Sequence, residues 1–110
     1  MASTLAKQVF RTKLAPNCAQ AIYRGFQEEC NVLELTIMGA SAFGGGRAPE
    51  GTCGALYAAL DLAPRDAHSK MMDAFIEHGG STLCRGLKSE RRLDCHACVA
   101  LAADLLEDVL

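Results

Sequence analysis

The stretch DCHACVALAADLLEDVL, residues 94–110, decides the fold class. Val99, Ala102, Ala103, Leu106 and Val109 recur three and four positions apart, the spacing that lines one face of an α-helix. Asp94 ahead of them is a residue type that caps helix starts. Working outward, the same periodicity holds almost everywhere. Ala and Leu dominate, β-branched residues are sparse, and no segment alternates with a period of two. The expected fold is therefore all-α, with no strand.

The apolar stripes and breakers place the other helices. A first helix is expected after Ser3, with Leu5, Val9 and Phe10 inward. A second follows Pro16-Asn17, puts Cys18, Ile22, Gly25 and Phe26 on one stripe, and closes at Cys30. A third starts at Asn31, where Asn31 and Glu34 have the spacing of a capping box, and runs through Leu35 and Met38. A fourth follows Thr52 and stops before Pro64. The fifth carries Met71, Met72, Phe75 and Ile76 inward and ends at Gly79-Gly80, residues suited to a left-handed cap. Ser81 opens a short turn of helix holding Cys84. A chain of 110 residues fits one domain, so residues 1–110 form a compact bundle of about five to seven short helices.

Charge excludes one class of partner. The net charge of −2 and pI near 5.9 come from acids and bases mixed along the chain, so no polyanion-binding face is expected and nucleic acid is not a partner. No stretch reaches the length of a membrane span, and Met1 to Val9 lacks the basic flank and apolar run of a secretory signal. Arg91-Arg92 lies far inside the chain and carries no export information. These features predict a cytoplasmic protein with no membrane association. With no Trp and much Ala and Gly, the helices can approach closely but bury modest area each. Stability is then expected to draw on a partner subunit, a crosslink or a bound metal, which leaves a homo-oligomer open. The four methionines read as core filler.

Six cysteines in a reducing compartment point to reactive thiols or metal ligands, because stable structural disulfides are rare there. Their positions are more informative than their number. Cys18 follows Asn17, Cys53 follows Thr52 and Cys95 follows Asp94, each in the first helical position after a capping residue. Cys84 lies three residues after Ser81. Unpaired N–H groups and the positive end of the helix dipole favour thiolate there, by about 0.3 to 1 kcal/mol, under one pKa unit. A stronger depression needs a cation, a second thiol or a metal. Arg85 and Arg47 are the nearest bases in sequence.

Cys95-His96-Ala97-Cys98 is a CxxC without the preceding strand of a thioredoxin-like site and with Val99 where a haem-binding histidine would stand. Within it Cys98 either shares in the chemistry or packs on the helix's inner face. Cys30, beside Glu28 and Glu29 at a helix end, is expected to be inert. The run Gly44-Gly45-Gly46 ahead of Cys53-Gly54 is either a flexible connector or a place where backbone N–H groups reach a sulfur or cluster. Gly45, Gly46 and Gly54 are its cofactor-binding candidates. His68 and His78 read as surface residues, and only its place between two cysteines singles out His96. No nucleophile–base or paired-carboxylate arrangement supports hydrolysis.

Asn17-Cys18-Ala19-Gln20-Ala21, Phe43-Gly44-Gly45-Gly46, Gly51-Thr52-Cys53-Gly54-Ala55, Cys84-Arg85, and Cys95 ahead of Val99, Ala102 and Ala103 resemble the C-GCAxxG-C-C family of redox-active proteins, over nearly the whole chain after residue 15. The resemblance implies four shared cysteines, Cys18, Cys53, Cys84 and Cys95, with Cys98 the other candidate for the last place. The chain departs from the family at Ala58, where the CGAxxG motif ends in Gly, and in lacking the export signal some members carry. Slightly looser helix packing is expected at Ala58, and one argument for a prosthetic group is removed.

Three functions follow. The first is dithiol/disulfide electron transfer through Cys18, Cys53, Cys84 and Cys95, served by a redox partner protein or a small-molecule electron donor. In the second the same four sulfurs ligate an iron-sulfur cluster or another thiolate-bound metal, with Cys98 as a substitute ligand. The third is a helical scaffold with packing cysteines.

Overall fold

The computed structural model describes residues 2–13, 15–43, 52–79 and 95–110. Its α-helices are α1 (Ala2–Val9), α2 (Cys18–Gly25), α3 (Gln27–Cys30), α4 (Glu34–Gly39), α5 (Gly54–Leu62), α6 (His68–Gly79) and α7 (Cys95–Val109). Short 3-10 turns follow α4 at Ala40–Phe43 and precede α6 at Arg65–Ala67. Among the described residues no strands pair; single bridges link Ala15 to Phe10 and to Thr12. No helix there is long and apolar enough to cross a membrane. The fold is all-α, as the spacing predicts.

Helix α2 lies at the centre, packed against α1, α5 and α7, while α7 also packs on α1 and α5. Seven of the eight residues of α2 are buried, which fits a helix covered on several sides. Close approach is built into the α1–α2 crossing. A Cβ added to Gly25 would stand 2.5 Å from the Ala6 Cβ and 2.6 Å from its Cα. Only glycine lets the two backbones meet there. This contact also sets the rotation of α1: Ala6, Val9 and Phe10 are buried, and Leu5, expected inward, is 43% exposed.

Farther out, two polar links hold the bundle. The buried Tyr23 hydroxyl donates to Asp61 Oδ2 at 2.8 Å, joining α2 to α5. Lys7 pairs with Asp104 at 3.0 Å between α1 and α7 on the surface, a contact worth little by itself. Ala58, at the family's glycine position, is fully enclosed beside Ala55 and Ala59.

Three expectations fail in detail. The predicted second helix divides at Phe26 into α2 and α3. Asn31 does not cap the next helix; it adopts the left-handed conformation, φ 53° and ψ 47°, and closes α3 instead. Helix α4 therefore starts at Glu34 with Leu33 as an N-cap that makes no side-chain bond, and Ile37 is its buried residue while Leu35 and Met38 face out. On α6, Met71 and Phe75 are buried as expected, but Met72 and Ile76 are exposed. Among the described residues α6 packs against α5 and α7, and its buried stripe is narrower than the spacing predicts. The predicted turn carrying Cys84 falls outside the described residues.

Candidate functional site

Cys18 is the first residue of α2, and the residues around it fix it tightly. Asn17, in extended backbone, accepts from the Gln20 N–H through Oδ1 at 2.8 Å, while Gln20 Oε1 accepts from the Asn17 N–H at 3.2 Å. This is a complete capping box. Both side chains then reach beyond their helix. Asn17 Nδ2 donates to the carbonyls of Ala40 at 3.0 Å and Ser41 at 3.3 Å, and the buried Gln20 Nε2 donates to Ile37 O at 3.1 Å. The start of α2 is thus tied to the end of α4, where helix carbonyls lack partners of their own.

Cys53 is placed differently from the sequence expectation. It is the N-cap of α5, with φ −54° and ψ 128°, rather than its first helical residue, and Gly54 begins the helix. The consequence is geometric, because an N-cap side chain lies beside the helix mouth. The Cys18 and Cys53 side chains are neighbours where α2 and α5 meet, close enough for each to shift the other's acidity. Backbone N–H groups of Ala55 and Ala19 lie near enough to Cys18, and that of Leu56 to Cys53, to favour the thiolate form.

A third thiol completes the row. Cys98, in the first turns of α7, is a second neighbour of Cys53. Cys18, Cys53 and Cys98 are all buried, at 8%, 3% and 5% exposure, and none is in a disulfide. The contacts run Cys18–Cys53–Cys98, with Cys53 in the middle. The resemblance favoured Cys95 over Cys98; Cys95 does begin α7, but its side chain lies outside the described residues. The signal for Cys98 was its helical phase, since it precedes Val99 and stands four residues before Ala102, both fully buried.

A neighbouring thiol, together with burial, reverses the expected acidity of the two helix-start cysteines. Cys18 is held protonated far above the usual thiol range, first by its hydrogen bond with Cys53, then by burial and by the charge an ionised Cys53 would carry. The Ala55 and Ala19 N–H groups pull the other way, as helix ends should, and are outweighed. For Cys53 the hydrogen bond from Cys18 favours the thiolate, but contact with Cys98, burial and the charge of an ionised Cys98 push its pKa up to about 12. The expectation of depressed pKa values at these two positions is therefore corrected: a dipole effect of about 0.3 to 1 kcal/mol cannot offset loss of solvent around a thiolate.

Cys30 stands apart on α3. Partial burial, then the neighbouring Glu29 carboxylate, raises its pKa, so of the expected causes Glu29 contributes and burial outweighs it. His96 packs edge-on against Phe10, with ring centroids 4.8 Å apart, so its place between two cysteines gives it an aromatic neighbour instead of a shared sulfur site. His68 lies near the Ala63 carbonyl and His78 is exposed. Cys84, Gly45, Gly46, Arg47 and Arg85 fall outside the described residues.

The donor set also bears on a metal. Among the described residues no group of three His, Cys, Asp or Glu side chains is arranged to hold an ion. The three core sulfurs follow one another through Cys53, a pattern suited to exchanging bonds between neighbours.

A family described as "putative redox-active protein (C_GCAxxG_C_C)" matches residues 16–109, most of the chain. The chain belongs to this family. The match spans Cys18 and Cys53, the two neighbouring cysteines in the core of this C_GCAxxG_C_C protein. No curated protein and no solved structure matches it.

Proposed function

We propose that this protein carries electrons by dithiol/disulfide exchange, with Cys18 and Cys53 as the redox pair. The observation that carries the reading is the direct contact of the two thiols at the junction of α2 and α5. In the reduced protein one of the pair, as thiolate, attacks a sulfur of a disulfide on a redox partner protein or small molecule. That disulfide's other sulfur leaves as thiolate and takes a proton. The second thiol of the pair then loses its proton and attacks the mixed disulfide, forming the Cys18–Cys53 bond and releasing the partner's second thiol. Two electrons and two protons pass from this chain to the partner, and reversal of the steps recharges it. Raised pKa values keep the resting pair protonated, so the reaction waits for a partner that opens the site. We take the compartment to be the cytoplasm, where a regenerating reductant is present.

The test is oxidation of anaerobically purified, reduced protein by a disulfide such as oxidised glutathione, followed by digestion under non-reducing conditions. Trypsin places Cys18 in residues 14–24 and Cys53 in residues 48–65. A crosslink between these peptides, with loss of two hydrogens, is expected. Stoichiometric iron or zinc in the purified protein, with both thiols remaining unlinked on oxidation, would replace this reading with a thiolate-bound metal or iron-sulfur cluster.

A further inference from the structure

Cys98 is the one core sulfur that the family's four-cysteine pattern, as carried by Cys18, Cys53, Cys84 and Cys95, does not use. Helix α7, which carries it, packs against both α2 and α5, so its position relative to the other two thiols is set by the central helices. Cys98 is 5% exposed and is enclosed by the same core as Val99 and Ala102. A cysteine serving only as a small apolar residue needs no particular neighbour. This one is buried in the same core as Cys18 and Cys53, on the helix that packs against both of theirs, and is close enough to Cys53 to shift its acidity. Cys53 can form a disulfide with only one of these neighbours at a time.

We propose that Cys98 is a third redox-active thiol, which exchanges with a Cys18–Cys53 disulfide to give Cys53–Cys98 and return Cys18 to the thiol. The inference rests on the Cys18–Cys53 reading above and adds a second oxidised state to it. In the step, Cys98 loses its proton and its sulfur attacks Cys53 Sγ. The Cys53–Cys98 bond forms, the Cys18–Cys53 bond breaks, and Cys18 leaves as thiolate and takes up a proton. One disulfide and one thiol are present before and after, so no outside oxidant or reductant is consumed. The exchange moves the oxidised bond from the α2–α5 junction to the α5–α7 junction while Cys53 remains a member of it. Cys18 is left free to meet the next partner.

The experiment uses the full chain and the variants Cys18→Ser and Cys98→Ser, each oxidised by glutathione disulfide and mapped without reduction. Cys95 and Cys98 share the tryptic peptide 93–110, so fragment ions must separate them, with each variant repeated in a Cys95→Ser background. Unvaried protein is expected to give both Cys18–Cys53 and Cys53–Cys98, Cys98→Ser only the first, and Cys18→Ser only the second. Retained helical circular dichroism, and the same result with Cys18→Ala, exclude a folding artefact. If Cys98→Ser forms Cys18–Cys53 while Cys18→Ser leaves Cys53 and Cys98 as thiols, the exchange is refuted and the redox pair stands. If Cys53 is crosslinked in none of the chains, the redox pair itself fails and the exchange with it.

Discussion

Asn17-Cys18-Ala19-Gln20 and Asn31-Val32-Leu33-Glu34 carry the same signal, an asparagine followed three residues later by a side chain that can reach back. Only the first becomes a capping box. Asn17 and Gln20 find acceptors on Ile37, Ala40 and Ser41, some twenty residues along the chain, and the helix they start is buried nearly throughout. Asn31 instead turns left-handed to end α3, and the segment after it leaves Leu33, Leu35 and Met38 mostly exposed. A cap is thus chosen by the tertiary partners of its side chains as well as by local spacing. The contrast between the enclosed α2 region and the open α3–α4 region orders the predictions.

The largest effect is expected from pH. In the unfolded chain the Cys18 and Cys53 thiols ionise near pH 9, whereas in the reduced folded chain both keep their protons well beyond it. Between those limits the folded state binds more protons, so stability falls as pH rises. The contribution is complete below the unfolded value and is lost above it at about 1.4 kcal/mol per pH unit for each thiol. Urea unfolding of the reduced protein at pH 8 and pH 10 should show this fall, and Cys18→Ala or Cys53→Ala should flatten it. Cys30→Ala, in the open region, should leave most of it in place. Equal slopes in all four proteins would mean that the core thiols are not shielded.

A middle-sized effect separates two glycines. Gly25→Ala forces a methyl onto the Ala6 backbone and should cost about 1–3 kcal/mol in denaturant unfolding. Gly39→Ala, at the end of α4 with nothing within 4 Å of the added methyl, should be neutral or stabilise by up to about 1 kcal/mol. A shared sign would remove the distinction between the regions. The smallest effect separates the two asparagines. Asn17→Ala should cost about 1 kcal/mol through loss of the cap, while Asn31→Gly, which suits a left-handed cap, should change stability by only a few tenths. The same denaturation curves measure both.

Much of the fold was legible because local signals agreed with burial. Val99, Ala102, Ala103 and Leu106 are buried as their spacing predicts, and Pro64 follows the end of α5. Gly25 was placed on the correct stripe, though its reason, the approach of Ala6, belongs to another helix. Leu5, Met72 and Ile76 were misplaced because periodicity gives a helix's apolar face without saying how wide its cover is. At the candidate site, the cap-then-cysteine pattern singles out Cys18 and Cys53, and both are buried at the starts of neighbouring helices. It could not show that α7 would bring Cys98 to Cys53, nor that burial would reverse the thiols' acidity. Both depend on which helices become neighbours, a property absent from any one helix's spacing.

The reach of Asn17 across to Ala40 and Ser41 has a mechanical consequence. A sulfur–sulfur bond is about 2.05 Å long, well inside the distance at which two thiols share a hydrogen. Closing one between Cys18 and Cys53 would draw the mouths of α2 and α5 together, and Asn17, adjacent to Cys18, would pull on its two carbonyl tethers. The 3-10 turn at Ala40–Phe43 would then stand at the far end of that linkage.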